Sequence, residues 1–111
     1  MKKLSFLILA LSISFTSFSQ DIVGSWRGVL KVQGIQLRLV FNVEKDNDAF
    51  KSTLDSPDQG AKGIPCDHTS FENSVLKIKI SSIGAGYEGT LHGDSIPGTF
   101  TQMGASFPLI L

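Results

Sequence analysis

The stretch Ile35-Gln36-Leu37-Arg38-Leu39-Val40-Phe41-Asn42-Val43-Glu44 decides the fold of this chain. Its odd-numbered positions are all apolar, and its even-numbered positions are polar except for Val40. A period of two places one set of side chains on a buried face and the other toward solvent, as in a half-buried β-strand. No part of the chain shows a helical period over a comparable length. The sequence therefore predicts an all-β protein.

Similar short runs lie on both sides of this stretch, and turn residues such as Gln33-Gly34 and Asp46-Asn47-Asp48 separate them. Together they predict about eight strands. Short connections favour sequential antiparallel pairing, which gives an up-and-down meander. Closing a meander removes its exposed edges, so we expect a small antiparallel, lipocalin-like barrel, closed or nearly closed, over an open sandwich. The other runs cover residues 26–32, 50–54, 64–71, 76–80, 87–92, 96–100 and 106–111.

Three of these runs share a pattern in which a glycine separates two bulky side chains, at residues 26–30, 87–91 and 96–100. An inward-facing glycine lets a strand coil sharply or lets a large neighbour lie across it. The remaining inward-facing residues are bulky, which favours a filled interior over a ligand cavity. They are Trp26, Leu30, Leu37, Leu39, Phe41, Phe50, Ile78, Ile80, Leu91 and Phe100.

The N-terminus has the pattern of a secretory signal peptide. Lys2 and Lys3 precede an apolar run at residues 4–15, and small residues stand at positions 17 and 19. The apolar run is too short and too rich in serine to be a good membrane span. We therefore expect a signal peptide at residues 1–19 and one β-barrel-like domain at residues 20–111. The domain is expected to be periplasmic or extracellular, with no membrane span after cleavage.

Charge and cysteine content exclude several classes of function. Loss of Lys2 and Lys3 leaves eight basic and ten acidic residues, a net charge of −2. This balance argues against a nucleic-acid partner, which would favour a basic surface. The single Cys66 cannot form a disulfide within the chain, and its apolar neighbours favour burial of the thiol.

Two short motifs resemble catalytic or metal sites, but neither is complete. Gly93-Asp94-Ser95-Ile96 is similar to the nucleophile block of a small lipase and esterase family, yet no histidine or acidic residue follows Ser95. Glycine, aspartate and serine are also common in turns. Cys66-Asp67-His68 places neighbouring side chains on opposite faces of a strand, and one cysteine with two histidines is too few for structural zinc. The sequence predicts no catalytic residue, no metal site and no cofactor.

The segment Ser56-Pro57-Asp58-Gln59-Gly60-Ala61-Lys62-Gly63-Ile64-Pro65 is polar, rich in glycine and proline, and longer than a tight turn requires. We expect a long loop here, and long loops on compact domains often carry function. The candidate interaction residues are Ser56, Asp58, Gln59 and Lys62.

Four segments together resemble a known family: Gly24-Ser25-Trp26-x-Gly28-x-Leu30, residues 37–43, residues 55–65, and Tyr87-x-Gly89-Thr90-Leu91-x-Gly93. They are similar to the N-terminal β-domain that precedes the catalytic domain in secreted serine α/β-hydrolases of Bacteroidetes-type bacteria. The resemblance covers residues 22–111, and residues 56–65 are its most specific part. In that family the catalytic serine, aspartate and histidine lie in the following domain, so no catalytic residue carries over.

The resemblance implies a non-catalytic accessory domain, truncated or standing alone, with an α/β-hydrolase domain as its partner in cis or in trans. The alternative is a lipocalin-like carrier of a small apolar ligand, suggested by the Gly-x-Trp opening strand and the strand count. An independent enzyme is the third reading. The sequence leaves the oligomeric state open.

Overall fold

The computed structural model describes residues 21–111, so the predicted signal peptide lies outside the described residues. This part of the chain forms nine strands and two short 3-10 turns, Pro57–Gln59 and Ser81–Ile83. Each strand pairs with its neighbour in sequence except β4 with β5, and all pairs are antiparallel. The predicted all-β class and the antiparallel pairing of sequence neighbours within each sheet are therefore confirmed. The strands are β1 Gly24–Val32, β2 Ile35–Asp46, β3 Ala49–Ser56, β4 Ala61–Cys66, β5 His68–Glu72, β6 Val75–Ile80, β7 Ala85–Thr90, β8 Pro97–Gln102 and β9 Ala105–Ile110.

The strands divide into two sheets, with β1 to β4 in the first and β5 to β9 in the second. The closed barrel expected from the sequence is not found in the described chain, because no strand ladder joins the two sheets. Side chains and close packing connect them instead. The hydroxyl oxygens of Ser52 on β3 and Thr69 on β5 lie 2.6 Å apart. On the other side β1 lies against β9, where a Cβ added at Gly28 would stand 2.5 Å from the carbonyl oxygen of Ile110.

The prediction of a long loop at residues 56–65 is wrong. Ser56 ends β3, residues 57–59 form a 3-10 turn, and β4 returns beside β3. Pro57 has a backbone angle suited to the start of the turn. Gly60 adopts the left-handed conformation (φ 68°) and donates its N–H to the carbonyl of Pro57 at 3.1 Å, which reverses the chain. The sequence resembles a loop because β4 is an edge strand whose side chains are mostly exposed or half-buried.

The single strand expected at residues 64–71 is also divided. It contributes β4 to the first sheet and β5 to the second, and Asp67 separates them. The backbone N–H of Asp67 already bonds to the carbonyl of Lys79 on β6 at 3.0 Å. The strand therefore changes partners at this residue, and a sequence pattern does not show which neighbour a strand pairs with.

The predicted inward-facing residues all lie in or against one core between the sheets. The sheets meet through Phe41 and Tyr87, whose ring centroids are 5.5 Å apart. Three glycines act as expected. A Cβ at Gly89 would lie 2.6 Å from the Tyr87 hydroxyl, a Cβ at Gly98 would overlap that same hydroxyl, and Gly28 admits β9. The residues least exposed to solvent are Ile22, Phe41, Leu54, Leu76, Ile80, Ile96, Phe100 and Leu109.

Candidate ligand cavity between the two sheets

A cavity of about 580 Å³ lies between the sheets at one end of the molecule. We call this the cavity end; it carries the turn at Gln33-Gly34, the two 3-10 turns and the turn at Met103-Gly104. The expectation of a filled interior is therefore wrong at this end of the molecule, where residues of both sheets line one cavity. Apolar residues dominate the lining: Leu30, Val32, Leu37, Leu39, Leu54, Ala61, Ile64, Ile83, Phe100, Met103, Ala105 and Phe107.

The open side of the cavity, which we call the mouth, carries the two 3-10 turns. One turn belongs to each sheet, and their backbone conformations match. Ser56 and Ile80 precede the turns with φ/ψ of −127°/79° and −124°/81°. Gly60 and Gly84 end them in the left-handed conformation, at φ 68° and 62°. In each case the residue just before the glycine, Gln59 or Ile83, lines the cavity. The mouth is thus framed by the same backbone unit on both sides.

The first turn is held to the first sheet by ionic hydrogen bonds. Asp58 accepts from the backbone N–H and the Nη2 of Arg38, both at 2.8 Å. The hydrogen bonds and charge of Arg38 hold the pKa of Asp58 below its usual range. The hydrogen bond to Asp58 and its negative charge raise the pKa of Arg38. Asp55 accepts from the N–H of Gly63 at 2.7 Å, which is the main cause of its own lowered pKa. These contacts make residues 55–63 a fixed structure.

The second turn is held in a similar way by Asp67. Its carboxylate accepts from the backbone N–H of Ser81 at 2.8 Å and from the Ser81 hydroxyl at 2.7 Å. The hydroxyl contact is the largest cause of the lowered pKa of Asp67. The N–H of Met103 donates to the carbonyl of Gly84 at 3.0 Å, which ties the turn between β8 and β9 to this second turn. The mouth is therefore preformed by backbone and carboxylate contacts.

Among residues 21–111, no ionisable side chain lines the cavity. Its polar groups are Ser56, Gln59 and Gln102. The buried Ser56 hydroxyl donates to Oε1 of Gln59 at 2.6 Å. Gln102 donates from Nε2 to the carbonyl of Ile83 at 3.2 Å. The surroundings are thus apolar with a few neutral hydrogen-bonding groups, which is typical of sites for small organic molecules.

The four residues predicted for an interaction loop separate into two groups. Ser56 and Gln59 contribute to the cavity. Asp58 serves the ion pair with Arg38, and Lys62 is an exposed residue of β4 outside the cavity lining. Sequence reasoning missed Ile83, Gln102 and Met103 as lining residues. No pattern in the sequence singles out these three residues.

The other residues considered for chemistry have structural roles or simple surface positions. The hydroxyl of Ser95 donates to the carbonyl of Leu111 at 3.2 Å, as expected of a turn residue. Cys66 is half-buried, and burial raises the pKa of its thiol. His68 and His92 are both exposed. Within residues 21–111, His, Cys, Asp and Glu side chains form no group of three able to hold a metal ion.

The chain was compared with protein families, curated proteins and solved structures. The chain matches no protein-family model, no curated protein and no solved structure. The resemblance to a hydrolase N-terminal domain therefore stays a prediction. Between Asp21 and Leu111 there is also no helix long and apolar enough to cross a membrane.

Proposed function

We propose that this domain is a non-catalytic, lipocalin-like binding module that carries a small apolar molecule between its two sheets. The observation that supports it is the cavity of about 580 Å³ lined mainly by apolar side chains. Small-molecule sites commonly have volumes of roughly 300–1,000 Å³ and apolar walls. The predicted signal peptide supports a periplasmic or extracellular location for such a carrier.

The walls of the cavity favour binding because they are already in place. Leu37, Ile64 and Phe107 are half-buried lining residues on the paired strands β2, β4 and β9. A ligand that covers apolar wall surface gains about 25 cal/mol for each Å² removed from water. Preformed walls also reduce the entropy lost on binding. Affinity therefore requires little rearrangement of the sheets.

The test is direct binding of the neutral fluorescent probe N-phenyl-1-naphthylamine to residues 20–111. We expect saturable fluorescence enhancement with the wild-type domain and a strong reduction with Ala61→Phe, which places a ring in the cavity. The matched control is Ala49→Phe, an exposed position at the opposite end of β3. Absence of saturable binding, or equal binding by both variants, would contradict the proposal. Trp26 is a poor reporter, because it does not line the cavity and its indole donates to the carbonyl of Ile22 at 2.8 Å.

A second candidate function is the accessory domain of a secreted serine hydrolase. Two apolar side chains at the cavity end favour a partner surface there, since Ile35 is 62% and Met103 84% exposed. Lys62 is exposed on the edge strand β4 of the first sheet. The domain would then position a hydrolase domain in cis or in trans and supply no catalytic residue.

This second function is tested by capture of serine hydrolases labelled with a fluorophosphonate from the envelope of the source cells. Lys62→Glu should weaken capture, while Lys45→Glu, on the exposed end of β2, should not. The intact mass of the native product is the companion measurement. The accessory function would be contradicted if the native product has the mass of residues 20–111 and if no labelled hydrolase is captured.

A further inference from the structure

We propose that the molecule bound between the sheets is an uncharged amphiphile, with an apolar body and one neutral hydrogen-bonding head group. This inference rests on the proposed carrier function and adds the class of ligand. The apolar body would lie against Leu37, Ile64 and Phe107, which are half-buried residues of the cavity lining. The head group would lie at the mouth, between Gln59 on the first sheet and Gln102 on the second.

The first argument is the absence of charge in the cavity. No Asp, Glu, Lys, Arg or His lines it within the described chain. Asp58 stands next to Gln59 but is paired with Arg38 at 2.8 Å, so it offers little net charge to a ligand. An ionised head group beside the half-buried Gln102 would lose water without gaining a charged partner, which costs more than placing a neutral group there. The cavity therefore selects against both carboxylates and ammonium groups.

The second argument is the free hydrogen-bonding capacity of the two glutamines. Oε1 of Gln59 accepts from Ser56, and its Nε2 has no partner among residues 21–111. Nε2 of Gln102 donates to the carbonyl of Ile83, and its Oε1 has no partner in the same range. The mouth thus offers one donor and one acceptor from opposite sheets. A hydroxyl group both donates and accepts, so it can pair with either amide.

The experiment is displacement of bound N-phenyl-1-naphthylamine by three ligands with the same chain, at concentrations below micelle formation. They are 1-dodecanol, dodecanoate and dodecyltrimethylammonium, at neutral pH. We expect 1-dodecanol to displace the probe at a concentration lower by roughly tenfold or more than either ion. Equal displacement by all three would overturn this inference and leave the carrier function standing. Absence of probe binding would overturn both.

Two variants of Gln59 make the test specific to the mouth. Gln59→Leu should weaken the binding of 1-dodecanol by roughly twofold to tenfold, which is the usual effect of losing one neutral hydrogen bond. Gln59→Lys should increase the affinity for dodecanoate relative to that for 1-dodecanol, because the lysine supplies a cation for the carboxylate. Gln36→Leu and Gln36→Lys are the matched controls, since Gln36 is an exposed residue of β2 outside the cavity lining. If the Gln59 and Gln36 variants behave alike, the assignment of the head-group site is wrong.

Discussion

The two ends of the molecule have similar apolar side chains between the sheets, but one end is filled and the other contains a cavity. At the end opposite the cavity, which we call the packed end, Ile22, Leu76, Ile96, Leu109 and Leu111 fill the space between the sheets. Ile96 and Leu111 also exchange two backbone hydrogen bonds, each of 2.9 Å. At the cavity end the same strands carry Leu, Ile and Phe, yet a cavity of about 580 Å³ remains.

The difference lies in what closes each end. At the packed end the Tyr87 hydroxyl shares its one proton between the carbonyls of Ile96 and Leu109, at 2.9 and 3.1 Å, and so joins β7 to β9 and to the residue before β8. At the cavity end each 3-10 turn is held by its own aspartate, Asp58 or Asp67. The Tyr87 hydroxyl thus joins β7 to its neighbours, whereas each aspartate holds only one turn. Hydrophobic side chains alone therefore do not determine whether an interior is filled.

The largest expected effect is the truncation of a buried leucine at the packed end. Leu76→Ala should lower the free energy of unfolding by about 3–5 kcal/mol, the upper part of the range for such changes. Leu54→Ala should cost about 2 kcal/mol, because Leu54 is equally buried but lines the existing cavity and loses fewer contacts. Urea denaturation of both variants measures the two losses. Equal losses would remove the distinction between the two ends.

The next effect concerns the glycines beneath Tyr87. Gly98→Ala should lower the free energy of unfolding by about 1–3 kcal/mol, since the new methyl group would overlap the Tyr87 hydroxyl. Gly86→Ala is the matched control on β7, where the nearest atom to an added Cβ is a carbonyl oxygen 3.3 Å away. Thermal unfolding compares them. A Gly98→Ala domain as stable as Gly86→Ala would mean that Tyr87 does not need this space.

Much of the fold could be predicted from the sequence, because alternation in residues 35–44 and their neighbours determines which side chains face inward. The inward-facing residues and the roles of Gly28, Gly89 and Gly98 are confirmed. The segment 56–65 could not be predicted, since its fold depends on the contact of Asp58 with Arg38, which is far away in sequence. The cavity could not be predicted either, because a binary pattern does not give the distance between two sheets.

The smallest effect is the response of the cavity end to acid. Asp55, Asp58 and Asp67 all have pKa values lowered by their hydrogen bonds. A lowered folded-state pKa stabilises the domain above the unfolded-state value, and that stability is lost as the pH falls through the folded value. We therefore expect a modest decrease in the urea midpoint below about pH 4, the ordinary range of carboxyl groups. Asp67→Asn should reduce this dependence on pH, and Asp94→Asn, in the turn between β7 and β8, is the matched control for the loss of one carboxylate.

Nuclear magnetic resonance tests the central claim most directly, by titration of the ¹⁵N-labelled domain with N-phenyl-1-naphthylamine. The account predicts that the largest amide shifts occur at Gln59 to Ala61, at Ile83 to Ala85 and near Met103, with little change around Leu76 and Ile96. Shifts spread over the outer faces of the sheets, or no shifts at saturating probe, would contradict a binding site between the sheets.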